Sequence, residues 1–181
     1  MGALFTRNRI IGLVFAAIIA AVDQVIKWYV TTVLGINRIG DNMELLPFFD
    51  LTYTENRGIS LGMLQATNME MRWLLVLMTA AIALIVLVWM MREKLLGDIL
   101  GLGLILGGAI GNIYDRYAFG YVIDFADFHI GDFRPFLIFN LADAAITIGV
   151  VIILARSLFV REKDESETDA AKDNGTIPSE S

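Results

Sequence analysis

The 181-residue sequence contains no cysteine, which excludes disulfides, thiolate metal sites and cysteine nucleophiles. It has a single histidine, His129, so a serine–histidine triad or a multi-histidine metal site lacks its parts. Charge is scarce as well. Only 19% of residues are Asp, Glu, Lys or Arg, 56% are hydrophobic, and the mean hydropathy is +0.64. Soluble domains average about 25% charged residues, so an integral membrane protein is the starting point. The net charge of −6 is concentrated at one end. Residues 162–181 hold seven acids against Lys163 and Lys172, leaving the remainder close to neutral. This polar segment reads as a disordered acidic tail beyond a membrane domain at 1–161. Such a charge balance argues against nucleic-acid binding.

Four hydrophobic runs stand out, at about 10–26, 73–91, 99–114 and 136–159. A helix needs about 20 residues to cross a bilayer core. The third run is short and spans only if residues 95–98 extend it. Four spans place both termini on one side, together with Arg7, Arg9, Arg92, Lys94, Arg156, Arg161, Lys163 and Lys172. Arg38, Arg57, Arg72, Arg116 and Arg134 fall in the two longer loops opposite. The positive-inside rule then makes both termini cytoplasmic and turns loops 31–70 and 115–135 outward. Arg7, Arg9 and the Ala20-Ala21 pair also fit a cleavable signal peptide. The three spans that follow, and Asp23 and Lys27 at the far end of the run, favour a retained helix.

The architecture expected is an all-α membrane protein of four transmembrane helices, with a small antiparallel β-sheet in the first extracytoplasmic loop. Phe48–Thr54 has the aromatic and β-branched content of a strand, and Asn37, Gly40, Asp41-Asn42 and Gly58 mark turns. Trp28, Tyr29, Phe48, Phe49 and Trp73 suit an interfacial belt. In the third run, Gly101, Gly103, Gly107, Gly108 and Gly111 give overlapping small-xxx-small patterns, which allow close helix packing.

Ionisable residues within spans are costly and point to function. Asp23 and Lys27, four apart, fit an ion pair on one helix face. Asn140 and Asp143 are three apart near the outer end of the fourth run, as are Asn112 and Asp115, with Arg116 next. Asp124 stands among apolar neighbours in the second outer loop. Asp124 and Asp143 meeting at the outer mouth of the bundle would share a proton, because two close carboxylates in low dielectric do not both ionise readily. That is the chemistry of an aspartic protease. Spacing alone is only suggestive, and it leaves open a proton-relay role in a small transporter, with Asp23 and Asp143 as relay groups. Asp127 and Asp132 are rival acids in the same loop, expected to be solvated.

Several segments resemble the lipoprotein signal peptidase family, also called signal peptidase II. They are Asp23-Gln24-Val25-Ile26-Lys27, Glu55-Asn56-Arg57-Gly58-Ile59-Ser60, Gly107-Gly108 through Gly111-Asn112-Ile113-Tyr114-Asp115-Arg116, Gly120 to Phe125, and Phe139 to Ile146. The resemblance spans about residues 10–155, in order. It implies that Asp124 and Asp143 are a catalytic dyad, that Asn56, Asn112, Arg116 and Asn140 position substrate and dyad, and that Asp23, Lys27 and Asp115 are structural. It further implies an intramembrane aspartyl endopeptidase of the bacterial inner membrane, acting as a monomer without cofactor or metal. The substrates would be prolipoproteins, cut just before a diacylglyceryl-modified cysteine, with membrane lipids around the site. Leu61, where the family usually has Phe, and Ala144, where it often has Ser, are departures. The Gly-x-Gly-Asp motif of presenilin-type and prepilin peptidases is absent, since Leu95 and His129 stand at the glycine position before Gly97-Asp98 and Gly131-Asp132.

Overall fold

None of the three prolines (Pro47, Pro135, Pro178) interrupts a long apolar stretch at its centre, so backbone hydrogen bonding can continue along each. The computed structural model describes residues 6–58 and 69–173, with residues from 159 onward described by backbone only. Four long helices form: α1 (Arg7–Trp28), α2 (Met69–Arg92), α3 (Leu96–Ala118) and α4 (Leu141–Asp173). Each contains a stretch long and apolar enough to cross a membrane. Thr6 caps α1 by accepting from Arg9 N, and α1 runs on into a π-helical turn, Tyr29–Val33. The third span is not short: Leu96–Asp98 extend it at one end and Asp115–Ala118 at the other, giving 23 residues.

The fourth helix starts at Leu141 rather than at Phe136. Asn140 Oδ1 accepts from Asp143 N (2.9 Å), and Asp143 Oδ2 accepts from Asn140 N (3.3 Å). This reciprocal arrangement is a capping box, which ends the helix at Asn140. Residues before it are held differently, Phe139 pairing with Ala126 of the sheet. At its other end the α4 backbone stays helical to Asp173, into the segment whose composition reads as disordered. Ala, Glu and Lys are good helix formers.

The central helix is α3, packed against α1, α2 and α4. Glycine allows the approach. A Cβ at Gly107 would lie 2.6 Å from Ala16 O of α1, and one at Gly108 would strike Ala142 O of α4. Away from the sheet, Ala16, Ala83, Val86, Met90, Ile99, Leu102 and Leu106 form the bundle core. At that end Arg9 Nε donates to Glu93 O and Asn8 Nδ2 to Lys94 O, holding the α2–α3 turn, while Arg156 pairs with Asp98 at 2.5 Å.

The opposite end carries an antiparallel sheet in the order β1-β2-β3: β1 (Asn42–Leu46), β2 (Phe49–Asn56) and β3 (Val122–Phe128). A two-residue turn, Pro47-Phe48, joins β1 to β2. The sheet is not confined to the first long loop, because β3 comes from the second and brings Asp124 opposite Thr54. Its apolar face, with Leu51, Tyr53, Ile123 and Phe125, packs on Val30 and Ile36 where the first helix ends. The sheet thus fixes a strand of one loop against the ends of the helices.

Candidate active site

Asp124 and Asp143 reach the same place from different elements. Asp124 lies in β3 and is 2% exposed, while Asp143 is partly exposed in the first turn of α4. Two asparagines join them. Asn140 Nδ2 donates to Asp124 Oδ1 (2.6 Å) and lies 3.2 Å from both Asn112 Oδ1 and Ile123 O. Asn112 Nδ2 donates to Asp143 Oδ1 (2.8 Å). Both oxygens of Asp143 therefore accept N–H groups, one from Asn112 and one from the Asn140 backbone. Asn56, at the end of β2, hydrogen-bonds Asp124 and accepts from Gly58 N (3.2 Å).

The electrostatics follow from this burial. Removal from water, and then the neighbouring Asp143 carboxylate, push Asp124 up from the ordinary range to about 7. Hydrogen bonds from Asn56 and Asn140 and the charge of Lys27 oppose the rise. Arg116 is 9% exposed; its Nη2 donates to Gly58 O (3.0 Å) and its Nη1 to Asn112 O (3.4 Å). Arg116 Nε has no hydrogen-bond partner among the described residues. An open cavity of about 350 Å³, lined by Phe136, Leu137, Phe139, Ala144, Thr147 and Ile148, reaches Asp143. This gives an apolar approach to one carboxylate of the pair.

Asp23, Lys27 and Asp115 lie together and fully buried beside this centre, Lys27 Nζ being 2.8 Å from Asp23 Oδ2 and 2.7 Å from Asp115 Oδ2. All nine residues singled out in the sequence thus fall at the sheet end of the bundle. Asp127 does not behave as a solvated acid. It is 1% exposed, pairs with Arg134 (3.0 Å) and accepts from Thr52 Oγ1 (3.2 Å). Inward-facing strand positions bury it, and the partners that compensate come from β2 and the following loop. Ile59, Ser60 and Leu61 lie outside the described residues. Among the described residues, no three His, Cys, Asp or Glu side chains converge as a metal site requires.

The family model described as "Signal peptidase (SPase) II" matches residues 15–159. The chain belongs to the signal peptidase II family. It is 55% identical over 152 residues to the lipoprotein signal peptidase of Sphingopyxis alaskensis, covering 84% of this chain and 87% of that one. Identity is 52% to that of Rhizorhabdus wittichii, with coverage of 86% and 90%. A solved bacterial membrane enzyme superposes with a TM-score of 0.71 at 30% identity, over 86% of this chain and 90% of its own. Membership makes the chain a multi-pass membrane protease of lipoprotein processing and removes the transporter reading.

Two contributors were not identified in the sequence. Gln24 Nε2 donates to Asp115 Oδ1 (2.8 Å); it stands within the family-like segment Asp23–Lys27, but nothing in the sequence gives it a role. Arg72, from α2, donates through Nε to Arg116 O (2.9 Å) and through Nη2 to Tyr117 O, closing the end of α3. No spacing links positions 72 and 116, so only the fold reveals the contact.

Proposed function

We propose that the protein is an intramembrane aspartyl endopeptidase that removes signal peptides from diacylglyceryl-modified prolipoproteins, cutting just before the lipidated cysteine. The observation that carries this reading is the convergence of Asp124 and Asp143 on one Asn112–Asn140 pair. Asp143, with both oxygens accepting N–H groups, is the carboxylate that takes a proton from water. Asp124, buried and raised to about 7, holds the proton given to the scissile carbonyl oxygen. Hydroxide adds to the carbon, and the tetrahedral diol then collapses. The C–N bond breaks, the proton on Asp143 passes to the departing cysteine amine, and the diol returns a proton to Asp124. Each proton is accounted for without serine, thiol or cofactor.

Asn112 and Asn140 hold the two carboxylates in place, and Asn56 steadies Asp124. Arg116 offers the unspent Nε–H to a substrate carbonyl. The apolar cavity beside Asp143 suits a substrate that arrives from lipid. Orientation follows from charge: Arg7, Arg9, Arg92, Lys94 and Arg156 cluster away from the sheet, so both termini are cytoplasmic and the site faces outward at the inner membrane. One chain supplies every group named, so the monomer is the working unit.

The test is cleavage of a lipidated precursor by purified protein. The wild type releases the signal peptide, and Asp124→Asn and Asp143→Asn each do not. Near wild-type cleavage by either variant defeats the dyad. Reporter fusions after Lys94 should be cytoplasmic and those near Asn42 and Asp127 external; an external 92–97 turn defeats the topology.

A further inference from the structure

Beneath the dyad lies a charged group that the proposed chemistry does not use. Asp23 and Lys27 of α1 and Asp115 of α3 are 0%, 2% and 0% exposed. A buried ion triad contributes little to stability compared with apolar packing of the same volume, so its retention needs another reason. The outward-reaching bonds supply one. Asp115 Oδ2 accepts from Ile123 N (3.1 Å), and Asp23 Oδ1 accepts from Ala142 N (3.0 Å). Ile123 immediately precedes Asp124, and Ala142 immediately precedes Asp143. One ammonium therefore sits between two carboxylates, each of which grips the backbone one residue before a dyad member. Gln24 Nε2 links the same two acids, at 2.8 Å from Asp115 Oδ1 and 3.2 Å from Asp23 Oδ2.

We infer that Asp23, Lys27 and Asp115 form a caliper that sets the separation of Asp124 and Asp143, with Lys27 as its pivot. β3 and the start of α4 already touch through the Phe139–Ala126 backbone pairs and through Asn140 Nδ2 to Ile123 O. Those contacts order the two segments relative to each other. The caliper ties both to the bundle and fixes the distance that proton sharing requires. Gly111 makes room for it, since a Cβ there would lie 2.6 Å from Asp23 Oδ2. These three are positioning residues, and the inference rests on the dyad reading above.

Hydrogen exchange and steady-state kinetics on the purified full chain test it together. Ala142 N–H is among the first amides of α4, which lack an intrahelical acceptor, so slow exchange there reports the Asp23 bond. In the wild type both Ile123 and Ala142 should be protected. Lys27→Met should speed exchange at both amides and lower kcat about 10²-fold, the cost of a displacement near 1 Å, with KM within about twofold. Should Lys27→Met fail to fold, the apolar triple variant Asp23→Leu, Lys27→Met, Asp115→Leu, which leaves no buried charge, is expected to fold with the same kcat loss. Unprotected Ile123 and Ala142 in the wild type overturn the caliper, as does a folded variant with kcat within twofold of wild type. Asp124→Asn and Asp143→Asn run beside these variants. Activity in those two would defeat the dyad instead, while their silence with a fully active caliper variant defeats only this inference.

Discussion

The helices α2 and α3 differ in a way that reverses the habit of soluble proteins. The best spanning stretch of α2 is the most apolar of the four, yet only 28% of it is buried. That of α3 is the least apolar, and 50% is buried. In water the more apolar helix would take the centre. In lipid the tails solvate apolar side chains as well as a protein core does, so burial follows small size and polarity. The glycines of α3 let α1 and α4 close on it, and its Asn112, Asp115 and Arg116 must face inward. Leu77 and Ile85 of α2, each 66% exposed, face outward.

Substitutions can break or sharpen this contrast. The largest effect belongs to the acids gathered around α3. Asp124→Asn or Asp143→Asn should lower cleavage by at least about 10²- to 10⁴-fold, the contribution of general acid–base catalysis, with insertion intact. The same Asp124→Asn change should raise stability, with a definite pH dependence. A carboxyl raised to about 7 in the fold, against about 3.9 when unfolded, contributes stability that is complete below about pH 3.9 and lost by about pH 7. The advantage of the amide in thermal unfolding should therefore grow from pH 4 to 7 and level off above. An advantage that stays flat over that range would mean that Asp124 titrates in the ordinary range.

Smaller effects follow along the bundle. Gly107→Leu in α3 should cost about 1–3 kcal/mol or more, because the new side chain meets Ala16 backbone, as thermal unfolding in detergent would record. Leu77→Ala or Ile85→Ala in α2 should stay within about 0.5 kcal/mol by the same measurement. Equal costs in the two helices would erase the contrast. The smallest effect expected is that of truncation after Lys163, which should leave cleavage in vitro within about twofold, since the segment removed is polar, acidic and nearly free of large apolar residues.

Much of this arrangement was legible in the sequence, and the exceptions have physical causes. Apolar runs of spanning length revealed the four spans. Acids and amides at helical spacing in or beside apolar runs pointed to residues that the fold brings together, Asn112, Asn140 and Asp143 among them. The start of α4 was misplaced because Phe136–Phe139 are as apolar as a span, while the Asn140–Asp143 capping box stops the helix. The third strand was not foreseen, since Val122–Phe128 carries two acids, and both are paired only after folding. Asp127 looked solvated because Arg134 and Thr52 compensate it from positions that spacing does not connect. The amide grips of Asp23 and Asp115 join residues 119 and 8 positions apart, contacts that only the fold creates.

The central claim is that two aspartates share one proton in a site that needs no metal. The most direct measurement is the pH dependence of cleavage of a diacylglyceryl precursor by purified enzyme dialysed against chelator. The account predicts a bell-shaped profile whose alkaline limb lies near neutrality, well above the roughly 3.9 of a free aspartate, because loss of the Asp124 proton at about 7 removes the acid. Chelator should leave the profile unchanged. Activity that is flat across this range, or that vanishes with chelator and returns with Mg²⁺ or Ca²⁺, would contradict it.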